Sequence, residues 1–141
     1  MHMNNSAITV CGNITQDPEM TFTDSNIAKL RFSVACNRSY KKGDEWVEET
    51  SFFNCVAWRK LAEDSGDVLE KGVGVIVNGR LEQRSWEDKE GNKRSTVEVV
   101  ADNVAIQTRS ISDFTRKRGA EGGAGQTAAS PRSQELEKDP F

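Results

Sequence analysis

Between Ile8 and Ile106 apolar side chains recur at every second position, in runs bounded by turn residues, and that period is the signature of strands. Ile8, Val10, Gly12 and Ile14 alternate in a first strand, which Asp17-Pro18 closes. Ala28, Leu30, Phe32, Val34 and Cys36 share one face of a second, with Lys29, Arg31 and Ser33 opposite. Residues 50–59 form a third strand, and Val73 to Trp86 a long fourth with Val75, Val77 and Leu81 facing inward. Gly91-Asn92 turns the chain into a fifth, Ser95 to Ile106. One stretch breaks the period. Lys60 to Leu69 places Leu61, Ala62, Val68 and Leu69 at helical spacing, with Glu63, Asp64, Asp67 and Glu70 outside, and Lys71-Gly72 ends it. Three strands, a helix and two strands is the order of an OB-fold, a five-stranded Greek-key barrel with one short helix; the class is all-β.

The pattern stops near residue 107. Beyond it, Ile111, Phe114, Leu136 and Phe141 are the only Leu, Ile, Val or Phe, too few to close a core. Gly119 to Gly125 and Ala128-Ala129-Ser130-Pro131 have the composition of a flexible linker. The expected organisation is a start with a cloning remnant at 1–3, an OB-fold domain at 4–107, a linker at 108–134 and a C-terminal tip at 135–141. No apolar run approaches the roughly 18 residues of a membrane span, so the expectation is a soluble, cytoplasmic protein.

Several chemistries find no residues to carry them. The single histidine, His2, sits in Met1-His2-Met3, which removes histidine acid–base catalysis and histidine metal ligands together. Cys11, Cys36 and Cys55 are odd in number, lack a Cys-x-x-Cys spacing and lie in apolar strand contexts, as small buried thiols do. There is no phosphate-cradling Gly-x-x-x-x-Gly-Lys-Ser/Thr. Asp44, Glu45, Glu48 and Glu49 form a charge run expected in a solvated loop rather than at a metal. We expect no enzyme activity, no cofactor and no metal.

Aromatics and cations instead interleave on the strand faces turned away from the core. Opposite the valines of the fourth strand fall Asn78, Arg80, Glu82, Arg84 and Trp86. The third carries Phe52, Asn54, Val56 and Trp58 on one face and Phe53, Cys55 and Ala57 on the other. The second runs on into Arg38, Tyr40, Lys41 and Lys42. Bases stack on exposed rings and phosphates pair with adjacent Lys/Arg, so such a face suits a single strand of nucleic acid. Core packing or a subunit contact accounts for the rings equally well on pattern alone. A formal charge of −3 and a pI near 5.3 argue against nucleic acid at first sight. Eight of the body's acids, however, lie in 44–49 and 63–70, away from these rings.

Four stretches resemble one family. They are Val10-Cys11-Gly12-Asn13-Ile14-Thr15-Gln16-Asp17-Pro18-Glu19, then Asn54-Cys55-Val56-Ala57-Trp58-Arg59-Lys60-Leu61-Ala62-Glu63, then Lys71-Gly72 with Val77-x-Gly79-Arg80-Leu81, and Arg84-Ser85-Trp86-Glu87-Asp88-x-x-Gly91. In order and spacing they are similar to the bacterial single-stranded DNA-binding proteins (SSB). The resemblance implies a homotetramer of OB-folds that binds single-stranded DNA without strong sequence specificity. The role implied is protection of that DNA during replication, repair and recombination, at the nucleoid. It places base stacking on Tyr40, Phe52, Trp58 and Trp86, and phosphate contacts on Arg38, Lys41, Arg80, Arg84, Lys93 and Arg94. Loops 40–50 and 86–94 would complete the DNA track, with Phe53 packing at a subunit contact. The family's tails end in an acidic tip that docks replication and repair proteins. Here the end is Glu135-Leu136-Glu137-Lys138-Asp139-Pro140-Phe141, with Asp139, Pro140 and Phe141 as the docking residues and Lys138 interrupting the acids. The alternative is a paralogous interaction scaffold with weak DNA binding, since Tyr40 and Phe52 stand where many members carry Trp.

Overall fold

A computed structural model describes residues 5–116, and contacts divide the chain after Ile111. The first unit contains β1 (Ile8–Ile14), β2 (Glu19–Phe22), β3 (Ala28–Lys42), β4 (Glu45–Trp58), α1 (Arg59–Gly66), β5 (Gly74–Glu87) and β6 (Lys93–Ile106). A 3-10 turn follows at Thr108–Ser110. Neighbouring strands run β1-β5-β6-β4-β3, and β1 pairs again with β3, which closes a five-stranded barrel. All these pairings are antiparallel except β4 with β6. The sixth strand, β2, lies outside this circuit, paired with Ala28–Arg31 of β3.

Alternation sorts side chains as the sequence requires. Val10, Ile14, Leu30, Phe32, Val34, Cys55, Ala57, Val75, Val77 and Val99 are buried together in the core. The helix covers one end of it with Ala62, and Leu69 follows in the loop. Phe53 is half-buried and packs against the same cluster. The turn past Ile106 is tied back to the barrel, because Gln107 N–H donates to the Gly74 carbonyl and Gly74 N–H donates to Ser110 Oγ at 2.8 Å.

Closure demands a particular residue at Gly12. Through β1 the two ends of the sheet meet, Val10 pairing with Val77 on β5 and Ile14 with Val34 on β3. Any Cβ at Gly12 would stand 2.2 Å from the Ala35 carbonyl oxygen, closer than atoms can pack. Gly79 meets the same limit, 2.1 Å from the Val100 carbonyl, where a register shift bulges β6 against β5.

Several expectations change. Residues 40–50 and 86–94 are not long loops. β3 and β4 pair continuously to Lys42↔Glu45, turning at Gly43, and β5 and β6 pair to Glu87↔Lys93. Each pair projects beyond the barrel as a two-stranded arm. Leu81 is exposed, because β1 pairs β5 only as far as Gly79 and leaves the next residues uncovered on that side. Val68 is exposed too, since the helix ends at Gly66 and the chain turns before it. Of the three thiols, only Cys55 is buried, and desolvation pushes it up to about 12. Cys36 is half-buried, while Cys11 occupies an outward position between Val10 and Gly12.

Gly12→Ala should destabilise the protein by about 2–4 kcal/mol in urea unfolding, because backbone must separate to admit a methyl group. Gly43→Ala is the control. No atom lies near its added Cβ and only its left-handed φ of 64° is strained, so it should cost about 1 kcal/mol. Equal costs would remove the special role of the β1–β3 approach.

Candidate nucleic-acid interface

The strand registers decide which side chains share a face. On the outward side of β3 and β4, cross-strand partners are Lys29↔Trp58, Arg31↔Val56, Ser33↔Asn54, Ala35↔Phe52 and Lys41↔Trp46. Parallel pairing sets Val100 of β6 beside Val56, and Arg80 of β5 beside Val100. Two residues at a time along β5 and β6, the same face continues through Glu82 and Glu98, Arg84 and Thr96, then Trp86 and Arg94. One surface thus carries Phe52, Trp58 and Trp86 together with Lys41, Arg80, Arg84 and Arg94.

Linked grooves follow this surface. An open groove of about 420 Å³ lies between Arg31, Ser33, Asn54, Arg84 and Trp86. Arg84 and Glu98 also line a smaller cleft with Lys29 and Trp58, and Trp58 borders another with Arg59 and Arg80. A further groove leaves this surface past Trp86 and Arg94 for the other side of the β5–β6 arm, where Gln83, Ser85 and Lys93 line it. Both tryptophans are held on one side by a cation: Lys29 Nζ lies 5.0 Å from the Trp58 ring centre, and the Arg84 guanidinium 5.3 Å from that of Trp86. Phe52 is 67% exposed and has no such partner.

Two expected groups stand elsewhere. Tyr40 and Arg38 alternate to the opposite side of the β3–β4 arm, across from Val47 and Glu49. There the Tyr40 hydroxyl donates to Glu49 Oε1 at 2.8 Å, and Arg38 pairs with Glu49 Oε2. Glu49 is thereby held below its ordinary value, chiefly by the hydrogen bond from Arg38 and then by that from Tyr40, and Arg38 is raised. Lys93 alternates to the other side of the β5–β6 arm, yet still lines the groove beside Trp86. Asp139, Pro140 and Phe141 lie outside the described residues.

Arg80, Arg84 and Arg94 on this face carry a carboxylate already. Arg84 Nε is 3.2 Å from Glu98, whose side chain is only 13% exposed. Arg80 reaches Glu82 at 3.5 Å and Asp102 at 3.7 Å, and Arg94 reaches Asp88 at 3.0 Å. Asp88 also organises the turn of its arm by accepting from the backbone N–H groups of Asn92 and Glu90, and it is kept below its ordinary value chiefly by the bond from Asn92 and then by that from Arg94. Among the described residues no group of His, Cys, Asp or Glu is placed to hold a metal ion, and no helix is long and apolar enough to cross a membrane.

Sequence reasoning missed Trp46, Lys29, Arg31 and Arg59. Lys29 and Arg31 were visible as the polar alternates of β3 but were not joined to Trp58, because that needs the register. Arg59 sits at φ 59°, a left-handed corner that turns β4 abruptly into the helix beside Trp58. Trp46 lay unnoticed inside the acidic run.

Known proteins resemble this chain in sequence and fold. The model of the Single-strand binding protein family matches residues 5–107. A single-stranded DNA-binding protein of Borreliella burgdorferi is 43% identical over 102 residues, covering 72% of this chain and 68% of its own length. One of Mycobacterium tuberculosis is 41% identical, covering 85% and 75%. Single-stranded DNA-binding protein 2 of Streptomyces coelicolor is also 41% identical, but the match spans 60% of its length. The crystal structure of a small single-stranded DNA-binding protein from Streptomyces coelicolor superposes with a TM-score of 0.62 at 28% identity, over 76% of this chain and 98% of that one.

The Glu49 cluster predicts a pH effect. A carboxyl that titrates lower in the folded chain than in the unfolded one stabilises above its unfolded value near 4.5 and loses that contribution as pH falls through the folded value. In an NMR titration, Glu49 should titrate below the ordinary glutamate value, and Arg38→Ala should return it toward that value. An unchanged Glu49 in Arg38→Ala would break this assignment.

Proposed function

The chain belongs to the Single-strand binding protein family, and we propose that it binds single-stranded DNA with little sequence preference by stacking bases on exposed rings and pairing phosphates with flanking cations. The observation that carries the reading is the shared outward face of Phe52, Trp58 and Trp86, joined through grooves that Arg84 and Arg80 border. Large rings gain nothing by facing water, and here Trp58 and Trp86 each keep one side against a cation and leave the other to a ligand. Lys41, Arg80, Arg84 and Arg94 supply phosphate contacts along the face, and Lys93 supplies one from the arm's edge. Tyr40 and Arg38 serve a strand that wraps over the arm rather than one confined to this face.

The protein protects single-stranded DNA in the cytoplasm as a homotetramer. Leu81 and Val97 favour self-association: both are exposed and sit diagonally on the side of the β5–β6 arm opposite the track, where another copy would cover them. Through Asp139, Pro140 and Phe141 the chain recruits replication, repair or recombination proteins. A terminal Phe offers an apolar anchor, its α-carboxylate a charge, and Pro a low ordering cost.

Saturating poly-dT should strongly quench tryptophan emission. Trp58→Ala and Trp86→Ala should each cost about 1–3 kcal/mol of binding. Emission that stays unchanged with DNA bound, or affinity indifferent to salt, would contradict the stacking and phosphate model. Deleting Asp139 to Phe141 should leave poly-dT affinity intact and abolish capture of replication or repair proteins. A truncated chain that still captures them would place docking elsewhere.

A further inference from the structure

Trp46 is the most exposed of the tryptophans, at 71%, and stands near the tip of the β3–β4 arm. Its strand partner is Lys41, so a cation lies directly across from the indole on the same face. That face is the outward one, because Trp46, Phe52 and Trp58 are separated by even steps on an unbroken strand. They recur at every sixth residue, which at about 3.4 Å per residue sets rings about 20 Å apart along β4. The acids around Trp46 do not spoil this surface. Glu45 and Glu49 alternate to the other side of the arm, where Glu49 is held by Arg38 and Tyr40; on β4 only Glu48 shares the face of Trp46, and Asp44 sits in the turn at the tip.

Resting on the reading that the outward face binds single-stranded DNA, we propose that Trp46 and Lys41 form a further nucleotide site, in which a base stacks on the indole and its phosphate pairs with the lysine. The site extends the track from the barrel to the end of the arm. It is met only by strands long enough to run past Phe52. Short strands engage the ring-and-groove surface between Trp58 and Trp86 and leave Trp46 in water.

The chain has three tryptophans, so the full-length Trp58→Phe/Trp86→Phe protein reports Trp46 alone. It is titrated with dT oligomers of increasing length, while fluorescence anisotropy of end-labelled oligomers records binding independently. The expected result is no change of Trp46 emission with the shortest bound oligomers and quenching once length passes a threshold. Separately, Trp46→Ala should weaken long oligomers about 5- to 100-fold with short ones unaffected, and Trp46→Phe should keep most of the affinity. Trp46 emission that stays constant while anisotropy shows long DNA bound overturns the proposal, as does Trp46→Ala binding all lengths normally while Trp86→Ala is weakened. Emission that shifts with protein concentration and ignores DNA overturns it too, assigning Trp46 to a contact between copies. Failure of the unsubstituted protein to bind any oligomer instead defeats the functional reading itself.

Discussion

The close approach of β1 and β3 at Gly12, with no room for a Cβ beside the Ala35 carbonyl, holds the two ends of the sheet together. Without it β1 would pair with β5 alone, and β3 would present an unpaired edge where Ala35 and Val34 now bond. Closure buries Val10, Ile14, Val34 and Val77 against one another, and that core in turn fixes which side of every strand faces out. Placement of Trp58, Arg84 and Trp86 on one surface therefore depends on a residue that touches none of them.

The arms continue this logic beyond the core. Past Cys36 and Ser51, and again past Leu81, no buried side chain rewards one face over the other, so register is held by backbone pairing and by polar cross-strand contacts. Glu49 with Arg38 and Tyr40 serves one arm, Asp88 with Arg94 the other. A polar ribbon held this way can offer both faces to water, and so can carry rings on either. The corner at Arg59 limits the surface at its other end, as β4 turns into the helix directly after Trp58.

How much of this could be read from the chain follows the same division. Strands bordering the core were legible because Val75, Val77, Leu30 and Val34 alternate with polar residues. The β5–β6 arm was legible too, from the strands on either side of Gly91-Asn92, whereas the far half of the β3–β4 arm was not, since Asp44 to Thr50 is mostly polar and resembles a loop. β2 escaped notice for a related reason: Glu-Met-Thr-Phe has no buried face, and its pairing to Ala28–Arg31 rests on backbone hydrogen bonds. Alternation put Phe52 and Trp58 on one face, but that Trp86 of β5 joins them could not be read from the chain, since that needs the strand order. Tyr40 and Phe52 fall on opposite sides of the arm, because Tyr40 continues the even phase of Leu30, Phe32 and Val34 along β3 whereas Phe52 pairs with the outward Ala35. Trp46 was hidden by its acidic neighbours, of which Glu45 and Glu49 project to the other side of the arm.

The carboxylates bound to Arg80, Arg84 and Arg94 bear on what a salt titration of this protein would count. A bare cation that meets a phosphate releases condensed ions from the strand, and the slope of affinity against salt records that release. An arginine with an internal anion must exchange one partner for another, and the displaced Glu98 or Asp88 then gathers a cation from solution. Ions leave the DNA while others settle on the protein. With phosphates on Arg80, Arg84 and Arg94 as proposed, the slope would underestimate the number of phosphates touched, and Glu98 and Asp88 would act as built-in competitors that keep the strand exchangeable.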